Sequence, residues 1–211
     1  MMHTTGKTYT YQEFINWVQQ LVAEGATSGP KQTKALVGFT ALNLKRMERI
    51  FKQTEVSSHL SSALALLETK QNWVVITEAW CGDSAQLLPI IARIVADAEG
   101  LIDLKIIMRD ENPHWIERYH TNGSHSIPKL VAFDGEGKEL FTWGPRPRAA
   151  QQIFLKWKKN PRGKSWDEFE KELHTWYAKD KTTSTQNEIY EKITEVAEDI
   201  HAHSNLGFSI N

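Results

Sequence analysis

The stretch Asn72-Trp73-Val74-Val75-Ile76-Thr77-Glu78-Ala79-Trp80-Cys81-Gly82-Asp83-Ser84 decides the fold. Its opening residues are aromatic and β-branched in succession, which predicts a strand over about 72–78. Residues 84–98 then read as a helix. Cys81, the single cysteine of the chain, therefore falls at a strand-to-helix turn. At such a turn the unpaired N–H groups of the first helical turn and the helix dipole favour thiolate over thiol. The expectation is a partly exposed Cys81 with a pKa below that of a free thiol.

Outward from this stretch, three further features keep its company. Pro89 lies eight residues after Cys81, the segment Ser126-Ile127-Pro128-Lys129-Leu130-Val131-Ala132-Phe133 comes later, and a Gly-containing turn then leads into Glu139-Leu140-Phe141-Thr142-Trp143-Gly144. In this order and spacing the set resembles the thioredoxin family, whose active-site motif is Trp-Cys-Gly-x-Cys; Ser84 stands where the second cysteine would be. The match covers about residues 70–160. With Arg109-Asp110-Glu111-Asn112 and Gly144-Pro145-Arg146-Pro147 it is similar to bacterial members with helical extensions. The resemblance implies an α/β class: a thioredoxin-like three-layer α/β/α sandwich, an active-site helix kinked at Pro89, and a cis Ile127–Pro128 bond facing the cysteine. It divides the chain into an N-terminal helical extension (1–69), a thioredoxin-like domain (70–160) and a C-terminal helical extension (161–211).

Composition narrows the function classes. The chain has 211 residues, 40% of them apolar and 24% charged, with net charge −1. Those are the proportions of an ordinary globular protein, and they give no reason to expect nucleic acid or an anionic membrane as partner. No signal-peptide pattern is visible after Met1, and no apolar run approaches the roughly 18 residues that span a bilayer. A lone thiol suits a reducing compartment, so a cytoplasmic location is expected.

The remaining chain reads largely as helix. Thr10 and Glu13 have capping-box spacing and open a helix over 10–24, closed by Gly25. A second helix lies within 32–53 with Leu44, Met47 and Phe51 on one face, and a third over about 57–69 carries Leu60, Leu64 and Leu67. The centre alternates strand and helix as β-α-β-α-β-β-α, with no legible first strand. After Asn160-Pro161-Arg162-Gly163, a helix opens at Ser165 and Glu168 with Trp166, Phe169, Leu173 and Trp176 at helical spacing. Lys179 to Thr185 reads as exposed. A last helix, about 186–203, carries Ile189, Ile193, Val196 and Ile200, a stripe able to pack on its own domain or to form a homodimer.

The candidate catalytic residues are Cys81, Ser84, Trp80 and Asp83, and the candidate substrate-binding residues are Ile127, Pro128, Arg109, Arg146 and Arg148. In a dithiol thioredoxin the first cysteine attacks a disulfide and the second resolves the mixed disulfide. A hydroxyl is a very poor nucleophile towards sulfur, so Ser84 can only donate a hydrogen bond. The family's buried aspartate position is Val75 here, and its lysine partner position is Ile106, so the proton-handling pair is absent together with the resolving cysteine. Trp80 resembles the tryptophan that lies over the family's active site. The arginines can stabilise the thiolate, pair with Asp83, hold a substrate carboxylate, or simply form surface ion pairs with Asp110 or Glu111. His120, His125, His201 and His203 lack the partner set of a zinc site, so neither metal nor other cofactor is expected. Three functions follow. The first is monothiol exchange through Cys81 with protein or small-molecule thiols and disulfides, resolved by an external thiol. The second is a redox-silent binding module. The third is a glutaredoxin-like iron–sulfur and glutathione site, by similarity of Cys-Gly-Asp-Ser to Cys-Gly-Phe-Ser.

Overall fold

The computed structural model of the chain describes residues 3–207, with side chains through residue 199. Four strands form the body of the sheet: β2 (Gln71–Thr77), β3 (Ile102–Met108), β4 (Lys129–Asp134) and β5 (Glu139–Trp143). A two-residue strand, β1 (Thr8–Tyr9), completes the order β1-β3-β2-β4-β5. β2 and β3 run parallel, whereas β4 is antiparallel to β2 and β5 to β4. β1 escapes the sequence reading because two residues carry no period. It is held by antiparallel pairing of Thr8 with Ile107 and Tyr9 with Ile106.

Alternation along the strands sorts side chains into two cores, since successive residues of a strand face opposite sides. Trp73 and Val75 of β2, Ile106 of β3, and Leu130 and Ala132 of β4 enter the larger core. Val74, Ile76, Ile107, Val131 and Phe133 enter the smaller one, against Trp115 and Ile116 of α5 (Pro113–Arg118). The larger core receives α4 (Gly82–Asp97), the N-terminal helices α1 (Tyr11–Ala23), α2 (Lys34–Gln53) and α3 (Ser58–Ala65), and the later helices α6 (Arg148–Lys159), α7 (Trp166–Asp180) and α8 (Thr183–Gly207). The result is the expected α/β/α layering with helices added at both ends.

Local chemistry explains the helix boundaries. Thr10 and Glu13 form a complete capping box at α1, and Ser165 and Glu168 form another at α7. Pro89 lies inside α4, where it supplies no backbone N–H to the helix. Leu60 and Leu64 of α3 are fully buried, each worth about 1.5–3 kcal/mol.

Several helical faces differ from the sequence reading. In α2 the buried face is Thr40, Asn43, Met47 and Ile50, while Leu44 and Phe51 are half-buried. Thr40 and Asn43 can be buried because each finds a partner: Thr40 Oγ1 donates to the Leu36 carbonyl at 3.0 Å, and Asn43 Nδ2 donates to the Ala79 carbonyl at 3.0 Å. In α7 the buried residues are Phe169, Leu173 and Tyr177, leaving Trp176 half-buried and Trp166 at 48% exposed. Thr185, read as exposed, is buried, beside Gln186, which accepts from Ser57 N and donates to the Glu55 carbonyl. The α8 stripe is spent within the chain: Ile189, Ile193 and Val196 join the larger core, so this face is not free for a second copy. Ile200, His201 and His203 lie outside the described side chains. Among the described residues no helix is long and apolar enough to cross a membrane.

Candidate functional site

Cys81 is the N-cap of α4, as the strand-to-helix turn requires. Its Sγ accepts from the Ser84 backbone N–H at 3.4 Å and donates to the Ile127 carbonyl at 3.4 Å. The Ile127–Pro128 peptide is cis. Gly144 backs this segment with φ +104°, and a Cβ there would come within 2.6 Å of the Pro128 carbonyl oxygen, so only glycine permits the approach.

The expected exposure and acidity of Cys81 are overturned. The residue is 7% exposed. Burial, then the charge of Asp83, push its thiol up to about 11, against the opposing pull of Ser84 and Arg146. Desolvation of the thiolate outweighs the helix N-terminus because Cys81 is packed into the smaller core with Ile76, Ile107 and Ile127. Ser84 is buried too, and its hydroxyl has no hydrogen-bond partner among the described residues.

Asp83 is at the centre of a polar cluster. It is 8% exposed, accepts from the Tyr177 hydroxyl at 2.8 Å and pairs with Arg146 at 2.5 Å. Burial raises its pKa, while Arg146 and Tyr177 hold it down. Arg146 also donates to Gln151 Oε1 at 3.1 Å and lies over the Phe154 ring. Arg109 takes the surface-pair role, bonding Asp110 at 2.8 Å while its guanidinium stacks on Trp80 at 5.0 Å. Arg148 does not reach the site. It is 71% exposed and bonds Glu188 and Glu191 of α8, whose carboxylates draw it away.

A cavity of about 370 Å³ opens at Cys81. Trp80, Arg109, Ile127 and Arg146 line it from the sheet side, Leu36 and Phe39 from α2, and Trp166, Phe169, Glu170, Leu173 and His174 from α7. The structure thus brings together Cys81, Trp80, Asp83, Ile127, Arg109 and Arg146. It adds Tyr177, His174 and Gln86, which sequence reasoning missed. Gln86 Nε2 donates to His174 Nδ1 at 3.0 Å, and burial beside Arg46 pushes His174 down to about 4, leaving it neutral. The available signal was the i, i+4 continuation of Phe169 and Leu173 to Tyr177, rather than to Trp176. His125 bonds Glu117 at 2.7 Å, and among the described residues no group of three acidic, histidine or cysteine side chains could hold a metal.

Residues 29–160 match the family model described as Thioredoxin, close to two-thirds of the chain. The chain belongs to the thioredoxin family. Over 58 residues it is 36% identical to thioredoxin of Staphylococcus aureus, in strains N315 and USA300 alike. That alignment covers 27% of this chain and 53% of each relative, so the chain spans about half the length of the curated relatives it matches. Among solved structures, an HIV epitope-scaffold aligns with TM-score 0.51 at 16% identity, over 87% of this chain and 97% of that one. A protein of unknown function from Pseudomonas aeruginosa aligns with TM-score 0.49 at 17% identity, over 92% and 99%.

In this thioredoxin-family chain, Val75 and Ile106 face one another across β2 and β3, both fully buried. A carboxylate and an ammonium would be costly there unless paired, and the apolar pair avoids that cost. The buried acids beside Cys81 in sequence are Asp83, within the motif itself, and Glu78, three residues before Cys81. Glu78 accepts from the Ser28 hydroxyl and from the Asp110 N–H at 2.9 Å, and burial raises its pKa. These bonds tie the loop before α2 and the end of β3 to the active-site turn.

Proposed function

We propose that the chain is a monothiol exchange protein that engages thiols and disulfides through Cys81, with an external thiol completing each cycle. The observation that carries this reading is the placement of Cys81 at the N-cap of α4, 3.4 Å from the Ile127 carbonyl and open to a cavity. Trp80 and Asp83 shape that site, Ser84 replaces the resolving thiol, and Ile127, Pro128, Arg109 and Arg146 border the bound group. The three segments 1–69, 70–160 and 161–211 divide the work: the middle one carries Cys81 and the outer two build the cavity walls. A reducing, cytoplasmic setting suits the lone thiol. The test is capture of partners on Cys81 in cells, read by mass spectrometry with Cys81→Ser as control; partners joined through a reducible bond support exchange, and equal recovery from Cys81→Ser opposes it.

The redox-silent binding module is favoured by one observation, the burial that pushes the Cys81 thiol up to about 11. A pH–rate profile separates the two readings, since an exchanging thiol gains rate as pH rises towards that value and a silent one does not. An iron–sulfur cluster shared between two copies fits poorly, because Cys81 is only 7% exposed and faces a cavity whose other walls come from α2 and α7.

A further inference from the structure

We propose that the Cys81 site accepts a low-molecular-weight disulfide or thiol with an apolar, uncharged body, and that helices α2 and α7 exclude an extended polypeptide. This rests on the exchange reading of Cys81 and names its substrate class.

The size of the cavity comes first. Its volume of about 370 Å³ lies within the range of small-molecule pockets.

The backbone gives the second reason. A polypeptide docking as an added strand needs a free N–H and C=O on the edge it joins. Ile127 is 6% exposed, so its backbone is not laid open along an edge. Phe169 and Leu173 of α7 stand across the cavity from it, themselves 1% and 4% exposed and fixed in the core. Admitting a chain there would mean withdrawing α7 from that core.

Charge gives the third. The cavity is walled by Leu36, Phe39, Trp80, Ile127, Phe169 and Leu173. Its two arginines are committed, Arg146 to Asp83 and Arg109 to Asp110, and Glu170 adds a carboxylate. His125 faces Glu117, and His174 is neutral. An anionic ligand therefore meets no uncommitted cation among the described lining residues and would bury its charge at a cost. The Arg146 side chain is 10% exposed and its buried Nε–H has no acceptor among the described residues. A ligand with an uncharged acceptor atom would satisfy it.

The exchange step balances without a net oxidant. The Cys81 thiol gives its proton to solvent, and the sulfur lone pair attacks one sulfur of R–S–S–R. The new S–S bond forms as the old one breaks, and the departing R–S⁻ takes up a proton. A second thiol R′–SH then attacks the mixed disulfide, leaving as R–S–S–R′ and returning Cys81 to the thiol.

The test compares three probes on the full chain: uncharged 4,4′-dithiodipyridine, dianionic 5,5′-dithiobis(2-nitrobenzoate) and insulin, each rate divided by that of free cysteine. The expected result is a normalised preference for the dipyridyl probe over the dianionic one of at least about tenfold, about 1.4 kcal/mol of discrimination, with no insulin adduct. Leu36→Lys, at a half-buried wall position, places a free cation in the cavity and should move that ratio towards one while circular dichroism stays unchanged. Equal or inverted preference in the wild type, or an insulin rate comparable to the small probes, overturns the inference and leaves exchange standing. No reaction with any probe overturns exchange itself, and the inference with it.

Discussion

Replacing Asp83 by Asn should make Cys81 more reactive and the chain less stable. With its thiol pushed up to about 11, Cys81 is thiolate in only about one molecule in ten thousand at pH 7. A free cysteine of pKa about 8.5 is about 3% thiolate at that pH. The deficit of roughly 300-fold is offset by the greater nucleophilicity of a more basic thiolate, by roughly 10- to 18-fold at a Brønsted coefficient of about 0.4–0.5. Cys81 should therefore exchange roughly 20- to 30-fold more slowly than free cysteine near pH 7. Asp83 is the second cause of the raised value, after burial, and Arg146 opposes it. Asp83→Asn removes the carboxylate and leaves the Arg146 charge acting alone on the thiol. Each pKa unit lost should raise the rate at pH 7 by about threefold, tenfold from ionisation against about threefold from lost basicity. Asn keeps an acceptor for Tyr177 or Arg146 but not the charge, so unfolding should ease by roughly 1–3 kcal/mol. The assay is the pH dependence of the rate with a small uncharged disulfide, alongside urea unfolding. A wild-type inflection at or below about 8.5, or an inflection unmoved in Asp83→Asn, would refute the reasoning.

Three other outcomes follow from the same contacts. Ser84→Cys should form an intramolecular disulfide with Cys81 on mild oxidation, because the Ser84 backbone already lies 3.4 Å from Sγ, yet insulin reduction should stay low with Val75 and Ile106 unchanged; free thiols persisting on Ellman titration would count against it. Asp83 and Glu78 both keep protons in the folded chain at pH values where the unfolded chain has lost them, since burial raises both. Stability should thus fall as pH rises from the ordinary values of 3.8 and 4.5 through the raised folded values, and urea midpoints against pH should flatten in Asp83→Asn and Glu78→Gln. Arg148→Ala should leave the Cys81 rate unchanged, because Arg148 bonds α8 rather than the cavity.

The sheet body was legible because β2, β3 and β4 are dense runs of β-branched and aromatic residues set off by a diagnostic motif. Capping boxes at Thr10 and Ser165 marked two helix starts for the same reason: they are local chemistry. What sequence could not give was contact between distant segments. The turn alone predicts an acidic Cys81, whereas the deciding influence is its burial in the smaller core with Ile76, Ile107 and Ile127. Asn43 is a polar residue that the sequence alone does not mark as buried, and its partner is the distant Ala79 carbonyl. Tyr177 and His174 carry no local signal of a site, and they acquire one only when α7 folds across α4. Of the three arginines, only Arg146 pairs within the motif, and nothing in Arg146-Pro147-Arg148 tells the two apart before α8 is placed.

The central claim is that Cys81 exchanges with disulfides in the folded chain, and the most direct measurement is intact mass after exposure to 4,4′-dithiodipyridine at about pH 9, where the thiolate is better populated. The account predicts one thiopyridyl adduct per chain, no adduct on Cys81→Ser, and full reversal on adding an external thiol. A folded chain that stays unlabelled, while the same chain in urea takes up one adduct, would contradict it.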